Sequence, residues 1–214
     1  KKVVALDQTG LSQKGGSVVS HLKILEKDSS DCSSRVANGE SDGYLVFDLL
    51  TGANPKNMEK LNSKRSISII STSEIPTGDM VRSTKSEYPE AEHMIGLIKE
   101  FSKKNVLLNA TELSEHFFGS NMQATFIVIG AAYQAGSIPI DASSIEEAIN
   151  INGVAVKSNT EAFNIGIVDN SDIPKDVTSN QDLNQLKEDI TLLLQLYLYT
   201  YYHYYHQYGL MINH

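Results

Sequence analysis

The chain has 214 residues, an apolar fraction of 41% and a net charge of −8, the profile of a globular protein with one core and an appendage. Lys and Arg are scattered, with no run longer than a pair such as Lys103-Lys104, which argues against the electropositive face that nucleic acid requires. No apolar run approaches the roughly 20 residues of a membrane-spanning helix, and the one cysteine, Cys32, allows neither an internal disulfide nor the ligand set of an iron–sulfur cluster, so a cytoplasmic location is expected.

Val3–Leu6 is apolar without alternation, the pattern of a strand buried on both faces. It runs into the polar segment Asp7–Gly16, which closes on the pair Gly15-Gly16. Ser17–Leu25 is rich in β-branched and apolar residues and reads as a second extended segment, with Val19, Leu22 and Ile24 pointing inward. Lys27–Gly43 is loop, and Tyr44–Leu50 is strand-like. Asn54-Pro55 starts a helix expected to reach Leu61, because Asn caps and Pro at the first helical position loses no hydrogen bond. Ser66–Ile70 is a strand, and Ser73–Lys85 a loop. Pro89 opens a helix with Ile95, Ile98 and Phe101 on one face, before the strand Val106–Leu108. A helix from Thr111 is ended by Gly119.

Beyond this point strands stop. Met122–Gln134 is an apolar helix with a small-residue face around Ala124, Ile127, Gly130 and Ala131. Ser143–Asn150 and Val156–Gly166 are further helices. Strands alternating with helices, followed by helices alone, predict an α/β fold: an open, mostly parallel, Rossmann-like sheet with flanking helices. Asp169–Gln181 is a polar linker, and Leu183, Leu186, Ile190, Leu193, Tyr197 and Tyr201 recur at helical spacing in an α-helical C-terminal extension.

Chemistry concentrates in the first loop. Thr9, Gly10, Lys14, Gly15 and Gly16 can present backbone N–H groups and one ammonium to a phosphate or carboxylate, although glycines in a tight strand-to-strand turn explain the pair equally well. Asp7 stands where a dinucleotide fold would hold ribose hydroxyls, but without a preceding glycine-rich turn an Asp that orders the loop is the better reading. His203 and His206 share a helix face without a third ligand, and His21, His93 and His116 lack triad partners at diagnostic spacing. The tyrosine-rich stretch Tyr197–Tyr208 suits a helix packed on a neighbouring domain or subunit.

The strand followed by Asp-x-Thr-Gly-Leu-x-Gln-Lys-Gly-Gly (residues 7–16) resembles the gamma domain of 2-oxoacid:acceptor oxidoreductases, nearest the indolepyruvate:ferredoxin oxidoreductase type. Glu40–Asp48, Ser71–Gly78, Ala110–Leu113 with Gly119 and Ile129–Pro139, and Ile145–Gly153 with Asn159–Phe163 are similar to the family's later blocks, in the same order. The resemblance covers residues 1–168 and implies three regions: a gamma-type α/β domain over 1–168, a linker over 169–181 and a helical extension over 182–214. It implies an enzyme that uses thiamine diphosphate and Mg²⁺ to decarboxylate a 2-oxoacid such as an arylpyruvate oxidatively. That enzyme forms an acyl-CoA and passes electrons through iron–sulfur clusters to ferredoxin. The gamma domain of such enzymes does not house the thiamine chemistry, so the resemblance implies that this chain binds none of these cofactors and is inactive alone, consistent with its lack of a Gly-Asp-Gly diphosphate motif and its single cysteine. It would instead place the loop of Thr9, Gly10, Lys14, Gly15 and Gly16 near CoA or substrate within a multi-subunit oligomer.

Departures from the family pattern are Ser120 for an Asp, Thr125 for an Asn and Ile167 for an Arg. Thr125 and Ile167 favour a rival reading, a non-catalytic Rossmann-like binding or assembly module; a stand-alone NAD-dependent dehydrogenase would need a glycine-rich turn before Lys1. The family's usual first βα unit is expected to be missing, which would make the chain an internal fragment and put Val3–Leu6 inside the sheet with one side unpaired.

Overall fold

The computed structural model describes residues 2–9, 17–25, 33–76, 80 and 88–168. The linker and helical extension, the tyrosine-rich stretch with His203 and His206, Gly10 to Gly16, and Cys32 lie outside the described residues.

The body is built on a parallel three-stranded sheet in the order β3 (Gly43–Val46), β4 (Ile67–Ser71), β5 (Lys104–Leu108). Gly43 pairs with Ile67 and Ile67 with Lys104, so the three strands run in step from the first residue. The central strand is buried on both faces, and its neighbouring residues Ile69 and Ile70 each feed a different core. Ile70 joins Val46, Leu49, Met58, Leu61, Met94 and Ile98, contributed by β3, the short helices α1 (Leu49–Gly52) and α2 (Pro55–Met58), the turn after α2, and α3 (Ala91–Glu100). Ile69 joins Leu108, Leu113, Ile127, Val128 and Ile165, from β5, α4 (Ala110–Phe118), α5 (Ala124–Gln134) and α7 (Val156–Ile167). The result is helices on both faces of a parallel sheet, with a helical C-terminal part that includes α6 (Ala142–Asn152).

Local signals explain most of these boundaries. Asn54 caps α2 by accepting from the Lys56 amide at 3.0 Å, with Pro55 at the first helical position. Gly119 ends α4 at φ +66°, a left-handed conformation that favours glycine. Ser120 then caps a short 3₁₀ turn, Asn121–Gln123, by accepting from the Met122 amide at 3.2 Å. An Asp there would do the same, so this departure keeps its capping role. The small-residue face of α5 meets α7 at close range: a Cβ on Gly130 would lie 2.1 Å from the Phe163 carbonyl oxygen, and one on Gly166 would lie 2.1 Å from that of Ile127.

Three expectations within the body need correction. The strand-like run Tyr44–Leu50 is a strand only to Val46, because Asp48 caps a new helix. The helix at Asn54 stops at Met58, four residues long, instead of reaching Leu61. On α3 the buried residues are Met94 and Ile98, while Phe101 follows the helix and is exposed.

The largest correction concerns the first strand. β1 (Lys2–Thr9) and β2 (Val18–Leu25) form a separate antiparallel ribbon, from Lys2 opposite Leu25 to Thr9 opposite Val18. Val3–Leu6 therefore lies outside the parallel sheet, and its residues alternate instead of being buried on both faces: Val3 is 59% exposed, Val4 half-buried. A four-residue apolar run carries too few positions to separate the two patterns. Leu22, expected inward, is 57% exposed, and the buried residue of β2 is His21.

Candidate functional site

The predicted loop leaves β1 at Thr9 and re-enters at β2, whose first residue Val18 pairs with Thr9. The loop thus connects two paired strands of a hairpin and is not followed by a helix N-terminus. Gly10, Lys14, Gly15 and Gly16 lie outside the described residues. Asp7 accepts from the Ser20 hydroxyl across the ribbon at 2.6 Å, a bond between paired strand residues.

On the ribbon's other face His21 is held between two elements. Its Nδ1 accepts from the Val36 amide at 3.4 Å, which leaves the proton on Nε2 facing Gln8 Oε1 at 3.3 Å. Burial lowers the imidazole pKa from its ordinary value, and the positive charges of Arg35, Lys60 and Lys23 lower it further.

The carboxyl ends of the parallel strands form the second polar region, the edge at which open α/β sheets place ligands. After β3, Asp48 Oδ1 accepts from the Leu50 amide at 3.2 Å and Oδ2 from the Thr51 amide at 3.2 Å and the Thr51 hydroxyl at 2.5 Å. After β4, Ser73 is a hub: it donates to Asn109 Oδ1 at 2.8 Å, accepts from the Thr111 amide at 3.3 Å and lies 3.0 Å from the Ser71 hydroxyl. With the Ser73 proton on Asn109, Ser71 is the donor in the remaining bond. After β5, Asn109 accepts from the Glu112 amide at 3.2 Å and its own Nδ2 donates to Glu112 Oε2 at 2.9 Å, a reciprocal cap on α4.

Tyr88 borders this edge. Burial raises its phenol pKa, Asp48 and Glu74 raise it further, and the Ile75 backbone acts in the opposite direction. Glu74 is exposed at the same edge, while the Asp48 and Glu112 carboxylates are both engaged in capping. The arrangement holds three strand exits in fixed relation, and among the described residues it pairs no nucleophile with a base. Among the described residues no group of three or more His, Cys, Asp or Glu could hold a metal ion. The Ser73–Asn109 hub escaped the reading of the sequence, although Asn109-x-x-Glu112 carries a capping signature that marks the start of α4.

The positions that depart from the family pattern are spread out. Thr125 is exposed on the first turn of α5, and Ile167 is half-buried at the end of α7, with Ser120 at the turn between α4 and α5.

Comparison with known proteins gives two findings. The family model described as "Pyruvate ferredoxin/flavodoxin oxidoreductase" matches residues 1–168. "Indolepyruvate oxidoreductase subunit IorB" of Archaeoglobus fulgidus is 26% identical over 166 residues, covering 77% of this chain and 78% of that protein. The match takes in the ribbon, the parallel sheet and the three C-terminal helices together, and ends where α7 ends. The chain belongs to the pyruvate ferredoxin/flavodoxin oxidoreductase family.

Proposed function

We propose that this chain is the gamma-type component of a 2-oxoacid:ferredoxin oxidoreductase that converts an arylpyruvate to an acyl-CoA, and that it works only with partner subunits or domains. The observation that carries the reading is the extent of the match: one family model accounts for every described element from β1 to α7. The subunit status and indolepyruvate chemistry in the relative's name support the assembly and the substrate class.

The residues present support placing the cofactors on partner subunits or domains. One thiol, Cys32, cannot ligate an iron–sulfur cluster, and no Gly-Asp-Gly is present to anchor a diphosphate through Mg²⁺. Thiamine diphosphate, Mg²⁺ and the clusters are therefore assigned to partners, together with the route to ferredoxin. This chain's part is to position. The hairpin connection with Thr9, Gly10, Lys14, Gly15 and Gly16 is proposed to face CoA or the substrate, and the fixed strand exits at Asp48, Ser73 and Asn109 to hold the surface that meets the partner.

Affinity purification of the tagged chain from its native cells tests this. The expected result is a co-eluting partner that carries thiamine diphosphate and the visible absorption of an iron–sulfur cluster. A stable partner lacking both would overturn the enzyme reading and leave the assembly module, the reading favoured by Ile167 in the place of an arginine.

A further inference from the structure

Three cationic side chains line one cavity of about 590 Å³ between the ribbon and the body: Lys23 on β2, Arg35 in the connection to β3, and Lys60 after α2. Such a concentration runs against the chain's net charge of −8. Lys60 is only 8% exposed, and its ammonium donates to the neutral amide oxygen of Asn38. The Asn38 Nδ2 donates in turn to Glu59 Oε2 at 3.2 Å. Glu59 and Glu40 share the cavity wall, yet among the described residues no carboxylate stands at ion-pair distance from Lys23, Arg35 or Lys60. The described ion pairs, Arg65–Asp42 and Lys157–Glu161, lie elsewhere.

Lys60 is thus an almost buried residue whose ammonium meets a neutral partner at the cavity, where an anion would supply a counter-charge. Arg35 adds a planar fork that matches two oxygens of an oxyanion, and Lys23 adds a third charge from β2. The cavity has room for more than one phosphoryl group. We propose that the cavity between ribbon and body is a binding site for a phosphoryl oxyanion, held by Lys23, Arg35 and Lys60. The residues that form it belong neither to the hairpin connection nor to the carboxyl ends of the parallel strands, and the site does not depend on the identity of the 2-oxoacid.

His21 is a built-in reporter. It sits behind the cavity wall, bonded to the Val36 amide, and feels the same three cations. The charged groups around it are Lys23 from β2, Arg35 from the connection, and Lys60, Glu59 and Glu40 across the cavity. An anion among the cations must raise its titration midpoint.

Titration of the full chain with inorganic phosphate and pyrophosphate, followed by the His21 ring resonances in NMR, tests the site. The expected result is saturable binding, tighter for pyrophosphate, with the His21 midpoint moving up at saturation. Lys23→Gln and Arg35→Gln should each weaken binding about tenfold, the scale of one charge-assisted hydrogen bond. Both positions are at least partly solvent-accessible, so these variants stay informative if Lys60→Gln fails to fold. Shifts that chloride reproduces at equal ionic strength, or binding unchanged in both variants, would overturn the proposal.

Discussion

The ribbon and the body use the same residue types to different ends. In the body, Ile69 and Ile70 are fully buried on opposite faces of one strand and tie two cores together. In the ribbon, Val3, Val18 and Leu22 are more than half exposed, and one face alone is turned inward. A two-stranded ribbon has little independent stability, so it depends on the contacts it makes through His21 and its neighbours. The lesson is that β-branched richness reports extended backbone in both places, and burial is decided by how many layers cover the strand.

The contrast is broken most sharply from the body side. Ile70→Ala should lower the unfolding free energy by about 2–5 kcal/mol, because it removes methyl groups and leaves a cavity in a well-filled core. Urea unfolding with an unchanged m-value would register it. Gly130→Ala should cost about 1–3 kcal/mol, since the new Cβ meets the Phe163 carbonyl, a backbone atom that cannot rotate away. A loss of less than half that value would mean that α5 and α7 can slide apart, and the body would be softer than its packing implies.

The strand exits give the next step down. Asn109→Ala removes the cap on α4 and the acceptor for Ser73 together, and should cost about 1 kcal/mol or somewhat more. Asn109→Asp keeps the acceptor and should recover most of that loss, as measured by thermal unfolding. A recovery confined to the Asp variant would show that the cap, and not the lost amide donor to Glu112, sets the stability of this edge.

His21 lets pH probe the junction between the two regions. Its folded-state pKa is lowered, so the unfolded chain binds the proton more readily. The contribution of His21 is fully present above its ordinary pKa of about 6.5. It is lost as pH falls below that value toward the folded-state pKa. Stability measured from pH 7.5 downward should therefore drop more steeply in the native chain than in His21→Gln. Equal slopes would show that His21 is not held between Val36 and Gln8 in solution.

The body was readable because its signals are local. Asn54-Pro55, Gly119 and the alternation of apolar strands with capped helices each mark a boundary by backbone chemistry that holds wherever the segment sits. The small residues of α5 announced a close approach, but its partner Gly166 is distant in sequence and only packing reveals it. The ribbon was misread for the complementary reason. Val3–Leu6 looks the same whether covered on two faces or one, and the choice is made by a strand pairing that four residues do not encode. Of the site, Asp7 is tied by a hydrogen bond to Ser20 on the paired strand, a contact that only the strand pairing reveals. The Ser73–Asn109 hub and the Lys23–Arg35–Lys60 cavity each join residues far apart in the chain, so neither leaves a motif.

The smallest expected effect is the most diagnostic for the ribbon. Leu22 stands opposite Ala5, and the pair Val3–Ile24 is next on the same outward face, which gives the ribbon an apolar side turned away from the body. A residue that is already more than half exposed has little transfer free energy to lose, so Leu22→Ser should change stability by no more than about 0.5 kcal/mol. The matched change on the inward face, Leu6→Ser opposite His21, should cost more, because Leu6 is half-buried. Denaturation of the two variants side by side measures the difference between the faces directly. Equal losses would mean that the outward face is covered in solution as fully as the inward one. The ribbon would then behave as a third layer of the body and not as a two-stranded appendage.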